Sequence, residues 1–134
     1  MDNRFRFRAW DCKLKEYHKD AQNGINEYDP YNGHDNYLRF SEIFSKKRYV
    51  IEQCTGLTDI NGVLVYANDI LTTIDESDYK MRLFYSHQDA AYMLYIKENA
   101  PEFLEDFILE NKLNLKIIGN IHENSQLLKD EVTK

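Results

Sequence analysis

The stretch from Gln53 to Leu71 limits what this chain can fold into more than any other. Its hinge is Asp59-Ile60-Asn61-Gly62, where Asn-Gly offers two positions tolerant of positive φ, the backbone demand of a tight reversal between strands. Val63-Leu64-Val65-Tyr66 follows, a β-branched and aromatic run that reads as a buried strand. Thr55-Gly56-Leu57 supplies a second reversal through which the chain enters this hairpin, and Arg48 to Cys54 reads as the strand that feeds it. A chain with this centre is committed to antiparallel pairing.

Composition sets the scale. With 134 residues, 43% of them hydrophobic and 13% aromatic, the chain can build one packed domain, with room for two lobes (about 1–52 and 53–134) sharing a core. Ten Tyr and seven Phe against two Pro and five Gly favour strands over disorder. No apolar run approaches the ~18 residues needed to cross a bilayer, and Met1-Asp2-Asn3-Arg4 lacks the apolar core of a signal peptide, so the expectation is a protein of the cytoplasm with no membrane partner. Cys12 and Cys54 show no zinc spacing and read as free thiols. The net charge of −6 divides unevenly, +2 over residues 1–50 and −8 over residues 51–134. An acidic body argues against broad adhesion to nucleic acid and leaves a local basic patch open.

Arg4-Phe5-Arg6-Phe7-Arg8-Ala9-Trp10 alternates, and a strand would put Phe5, Phe7 and Ala9 on one face and Arg4, Arg6, Arg8 and Trp10 on the other. The second set is the candidate binding surface, a cationic strip ending in an aromatic that suits phosphates and a stacked base. The simpler reading is a solvated strand face with Trp10 packed in the core. Lys15 to His18 suggests a return strand. Residues 19–36 are rich in turn formers and read as an exposed loop; Asp29, His34 and Asp35 there do not match the spacing of a calcium-binding loop. Lys46-Lys47-Arg48 reads as a solvated turn.

Lys80–Tyr85 and Ala91–Ile96 flank a polar tip and predict another hairpin, while Asp75, Glu76 and Asp78 read as a solvated turn. Residues 99–113 predict the one helix, with Asn99 as cap, Pro101 in the first turn, and Phe103, Leu104, Phe107 and Ile108 on one apolar face. Leu115–Ile118 then predicts a final strand. The expected fold is α+β, mainly antiparallel β, as a bent sheet or small barrel-like half with one helix in the C-terminal region.

Three blocks carry a family resemblance. Phe7-Arg8-Ala9-Trp10-Asp11 resembles the opening signature of the YopX-like proteins of bacteriophages and prophages. Thr55 to Gly62, with Val65-Tyr66 and Asp69-Ile70, resembles the central one, and Ile117 to Leu128 the closing one. Where the family usually has Gly before the Asp-Ile pair, this chain has Asn68, a residue that tolerates left-handed geometry. The resemblance implies a small β-rich fold and a mobile-element origin, and it brings no catalytic residues.

No P-loop, dinucleotide-binding glycines, nucleophile elbow, HExxH or zinc spacing is present, so no catalytic residue, metal ligand or cofactor is assigned. The leading functional expectation is a non-enzymatic macromolecule-binding or assembly module in the cytoplasm of an infected or lysogenic bacterium, with a protein partner or self-association as a homo-oligomer. The alternative is a nucleic-acid binder using Arg4, Arg6, Arg8 and Trp10. A third is an enzyme or metal protein built on the loops rich in His and carboxylates.

Overall fold

The computed structural model describes residues 2–29, 31–74, 80–96, 101–111 and 114–128. The chain divides into two compact units, Met1–Cys54 and Thr55–Lys134.

The first unit opens with a 3-10 turn, Asn3–Phe5, and continues through β1 (Phe7–Asp11), β2 (Glu16–His18), a 3-10 turn at Ala21–Asn23, β3 (Ile25–Asp29), β4 (His34–Leu38), α1 (Phe40–Phe44) and the start of β5 (Tyr49–Thr58). β1 lies antiparallel between β2 and β5. β3 and β4 form a separate two-stranded ribbon. The expected strand over 4–10 therefore begins only at Phe7. Asp2 explains the shift: its carboxylate accepts the Arg4 N–H at 2.9 Å and caps the turn that precedes the strand.

The segment 19–36, expected as a loop, contains a 3-10 turn and most of the ribbon. Its turn formers mark only the ends and the tip, where Gly33 takes a φ of 66°. Ile25 and Leu38 pair across the ribbon and bury together with Ala9, Ala21, Ile43 and Tyr49, which is why a polar sequence still forms strands here. α1 was not predicted. Glu42 Oε1 accepts the Arg39 N–H at 3.0 Å, as in a capping box, and Ile43 is fully buried. The Phe40 ring meets those of Phe7 and Phe44, each at 4.9 Å.

In the second unit the continuation of β5 borders β6 (Leu64–Tyr66). β7 (Asp69–Thr73), β8 (Met81–Ser86), β9 (Ala91–Ile96), β10 (Glu102–Phe103) and β11 (Leu115–Asn120) make a sheet of order β10-β9-β8-β7-β11, with each neighbouring pair antiparallel. α2 (Leu104–Asn111) lies between β10 and β11 in the chain. The fold is thus mostly antiparallel β with few, short helices.

The single expected helix over 99–113 needs correction. α2 starts only at Leu104, because Glu102 and Phe103 pair with Leu94 and Met93 as β10, and α1 adds a second helix. Asn99, Lys112 and Leu113 fall outside the described residues, as do Asp75, Glu76 and Asp78. Leu104 and Phe107 of α2 join Val65, Leu71, Met81, Leu83, Leu94, Ile96 and Leu115 in the core of this unit. Burying each such side chain fully contributes about 1.5–3 kcal/mol.

Candidate functional site

Alternation along β1 sends its side chains to two faces, and each face carries one charged residue. Arg8 and Trp10 share one face. Arg8 stands directly opposite Glu52 on β5, and Trp10 opposite Tyr17 on β2. Glu52, whose side chain is sealed from solvent, accepts from Arg8 Nε at 2.8 Å and from the Tyr17 hydroxyl at 2.9 Å. The Arg8 guanidinium lies over the Tyr17 ring, 4.1 Å from its centroid, and Trp10 meets that ring edge-on at 5.0 Å. A buried carboxylate demands this kind of compensation, and the register supplies it.

Phe7, Ala9 and Asp11 share the other face, with Asp11 completely buried. Its Oδ1 accepts from Arg48 Nε at 2.9 Å and from the backbone N–H groups of Lys13 and Leu14 at 2.9 and 3.1 Å. Its Oδ2 accepts from Arg48 Nη2 at 2.8 Å and from His18 Nε2 at 2.9 Å. A carboxylate can only accept, so the His18 ring carries a proton on Nε2. Burial alone would raise the Asp11 carboxyl; the donors from Arg48, His18, Leu14 and Lys13 outweigh it and hold the group well below the ordinary carboxylate range.

Arg48 continues the network. Its Nη1 reaches Glu27 Oε2 at 3.4 Å, the Tyr49 hydroxyl donates to the same oxygen, and Lys46 Nζ reaches Glu27 Oε1 at 3.4 Å. Burial would raise the Glu27 carboxyl too, and these donors lower it on balance. Burial and the bond to Glu27 push the Tyr49 phenol up, so its proton is held firmly. With five donors on Asp11 and the Tyr49 proton held by Glu27, the cluster fixes β1, β2, β3 and β5 to one another. It leaves neither carboxylate open as a base.

Arg8 and Trp10 come together on one face of β1. Arg4 lies ahead of the strand, paired at 2.6 Å with Asp2, whose carboxyl this contact lowers to about 2. Arg6 lies between the turn and the strand, 4.0 Å from Asp20. Arg48, expected in a solvated turn with Lys46 and Lys47, instead turns inward onto Asp11, and Asp11, His18, Glu27, Tyr49 and Glu52 carried no site expectation. The available signal was a charge set inside an apolar strand run, as in Phe7 to Asp11 and Val50 to Cys54, which requires a partner elsewhere in the chain.

The second unit places its polar residues on backbone. Asp59 Oδ1 accepts from the N–H groups of Asn61 and Val63 at 2.9 and 3.0 Å, and its Oδ2 accepts from Ile117 N–H at 3.1 Å. Asp69 Oδ2 accepts from Tyr66 N–H at 2.8 Å. Asn120 Oδ1 accepts from the N–H groups of His122 and Glu123 at 3.0 and 2.9 Å, and Asn124 Oδ1 accepts from Asn120 N–H at 3.1 Å. Among the described residues, no group of three or more His, Cys, Asp or Glu is arranged to hold a metal ion.

A different kind of surface appears on the β3–β4 ribbon. The register puts Asn26, Tyr28, Asp35 and Tyr37 on the face opposite Ile25 and Leu38. Tyr28 and Tyr37 are diagonal neighbours there, 63% and 60% exposed. The Tyr37 hydroxyl donates to the carbonyl of Asn23, which orients the ring without burying it. Among the described residues, neither ribbon strand has a strand partner on its outer edge.

Fold and cluster together define a class: a small, mainly antiparallel β protein whose buried carboxylates are neutralised by arginines or capped by backbone amides. The chain belongs to the YopX family, whose model, described as YopX protein, matches residues 6–129. It is similar to the crystal structure of protein EF1440 from Enterococcus faecalis, with 26% identity, a TM-score of 0.58, and coverage of 92% of this chain and 97% of that one. A search of the curated proteins finds no match. No helix among the described residues is long and apolar enough to cross a membrane.

Proposed function

We propose that this chain is a phage or prophage accessory protein of the host bacterial cytoplasm that acts as a non-enzymatic binding or assembly module. Its partner on this reading is another protein or a second copy of itself. The observation that carries the reading is the β3–β4 ribbon. It offers two exposed tyrosines on one face and, among the described residues, strands with no strand partner on their outer edges. Tyrosine brings a large apolar area with a polar tip and little side-chain entropy, which suits protein contacts. An open edge offers backbone donors and acceptors to an incoming strand. The phage or prophage origin rests on the three sequence blocks.

Arg4, Arg6 and Arg8 lie beside Asp2, Asp20 and Glu52 respectively, so no observation favours the arginine strip over the ribbon as the working surface. The test is site-specific photocrosslinking in phage-infected cells from positions 28 and 37, with sedimentation velocity of the purified chain. A discrete crosslinked protein, or a concentration-dependent dimer lost in Tyr28→Ser, supports the module. A chain that stays monomeric and crosslinks to no protein at either position sinks it.

A further inference from the structure

The second unit contains an arginine whose surroundings differ from those of every arginine in the cluster of the first. Arg82 sits on β8 between Met81 and Leu83, both fully buried in the core that α2 covers. Alternation therefore directs Arg82 to the opposite face of the sheet. There it stands directly across from Ile70 on β7 and Tyr95 on β9. Its Nη2 donates to the Asn68 side-chain oxygen at 3.2 Å. Its Nε–H is shut off from solvent and has no acceptor among the described residues. Among the described residues, no carboxylate lies within ion-pair distance of it.

This is an unexpected place for an uncompensated cation. Residues 51–134 hold fifteen Asp and Glu against seven Lys and Arg, so acidic partners are plentiful in the sequence, yet among the described residues Arg82 has only a neutral amide. A guanidinium partly withdrawn from water without a counter-charge gains more from an arriving anion than a solvated one does. The residue is only half-buried, so it can be reached. Its planar fork matches a tetrahedral oxyanion. Tyr95, directly opposite and 46% exposed, adds a ring face beside that charge.

We propose that Arg82, positioned by Asn68, anchors a site for a phosphate group borne by a nucleotide, with Tyr95 supplying the surface for its planar base. Its residues belong to the second unit, whereas the tyrosine ribbon and Arg4, Arg6 and Arg8 belong to the first. A free nucleotide and a nucleotide within a single strand present the same chemistry to it.

The test follows the Arg82 Nε–H resonance in the ¹⁵N-labelled full chain. The probes are inorganic phosphate, adenosine 5′-monophosphate and a short single-stranded oligonucleotide. Saturable shifts are expected with all three, and the monophosphate should bind more tightly than phosphate alone. Arg82→Gln should weaken binding at least ~10-fold, the scale of one charge-assisted hydrogen bond. Tyr95→Leu should remove the advantage of the monophosphate and leave phosphate unchanged. Tighter binding of the oligonucleotide would assign the source to nucleic acid, and equal binding to a free nucleotide.

Absence of a saturable shift with phosphate and monophosphate in the wild-type chain overturns the proposal, whatever the variants do. So does equal affinity for the two, because the base would then make no contact. Arg82→Met provides the structural control and should melt no lower than wild type. A large loss of melting temperature would show that the arginine holds the fold.

Discussion

Replacing Arg48 by Met tests the account of the first unit most sharply. The guanidinium places two donors on Asp11, at 2.9 and 2.8 Å, and a third on Glu27 at 3.4 Å. Asp11 is sealed, while the Arg48 side chain is 25% exposed, so some screening by water has to be allowed for. Removing one partner of a buried pair costs roughly 3–5 kcal/mol, and the partial exposure of Arg48 puts the expected loss near the lower end, about 3 kcal/mol at pH 7. That is a large share of the roughly 5–15 kcal/mol available to a domain. The assay is urea denaturation followed by the emission of Trp10, the single tryptophan, which is buried in the first unit.

Acidity adds a second, independent sign. The folded-state carboxyl of Asp11 is depressed, so its stabilisation is complete above the unfolded value near ~4 and is lost as pH falls through that value toward the folded one. Glu27 is lowered as well and acts in the same direction. Wild type should therefore lose stability from about pH 5 downward. In Arg48→Met, Asp11 keeps its burial and loses its strongest donor, so its carboxyl rises and the acid dependence flattens. The difference between the two proteins should shrink below about pH 4. A penalty under about 1 kcal/mol at pH 7, or one that stays constant down to pH 3, would refute the neutralisation argument.

Substitutions at three further positions probe the second unit, each read by urea denaturation with far-ultraviolet circular dichroism. Asp59→Ala strands the N–H groups of Asn61, Val63 and Ile117 and should cost about 3 kcal/mol; Asp59→Asn, which keeps Oδ1, should cost about half as much. Gly119→Ala would set a methyl 2.5 Å from Asn124 Oδ1 and 2.7 Å from Asn124 Cβ, so a loss of about 1–3 kcal/mol is expected, and a neutral result would mean the 120–124 turn is not seated as described. Asn68 has a φ of 72°; Gly there relieves backbone strain while losing the Arg82 bond and should change stability by less than about 1 kcal/mol, whereas Ala should cost about 1–2 kcal/mol.

What could be read from the sequence was local. Asp59 to Gly62 announced a reversal, and the structure puts Gly62 at a φ of 80°, although Asn61 needs no positive φ and β6 begins at Leu64 rather than Val63. The β8–β9 hairpin followed from two apolar runs around a polar tip, which closes through Ser86 and Asp89. Misreadings arose where a longer-range contact decided. Glu102 and Phe103 fit the first turn of a helix by pattern, but pairing with β9 takes them into a strand. The polar residues of β3 and β4 hid a ribbon because only Ile25 and Leu38 report its buried face. Asp11 and Arg48 are 37 residues apart in the chain, and no spacing rule connects them. The alternation of residues 4–10 correctly paired Arg8 with Trp10 on one face but could not reveal Glu52 opposite them.

The blocks that carry the family resemblance meet in the structure at backbone junctions. Asp59 of the central block binds the N–H of Ile117 in the closing block, and the N–H of Ile121 donates to the carbonyl of Asn68. Ile70 pairs with Gly119 and Asp69 with Asn120 along β7 and β11. The opening block supplies Arg8 and Asp11, each occupied by a partner within the first unit. Blocks whose polar groups are bound to the chain itself specify how the chain folds, and a site for something outside the chain has to come from elsewhere. The β3–β4 ribbon and the position of Arg82 both lie outside those blocks, and both direct polar or aromatic groups away from the two cores. Exchanging the outward-facing Asn26, Tyr28, Asp35 and Tyr37 for the residues of another family member, with Ile25, Glu27 and Leu38 kept, should therefore leave the Arg48-dependent stability in place while changing what that face contacts. Loss of folding instead would assign the ribbon to the framework and remove it as the surface that varies with function.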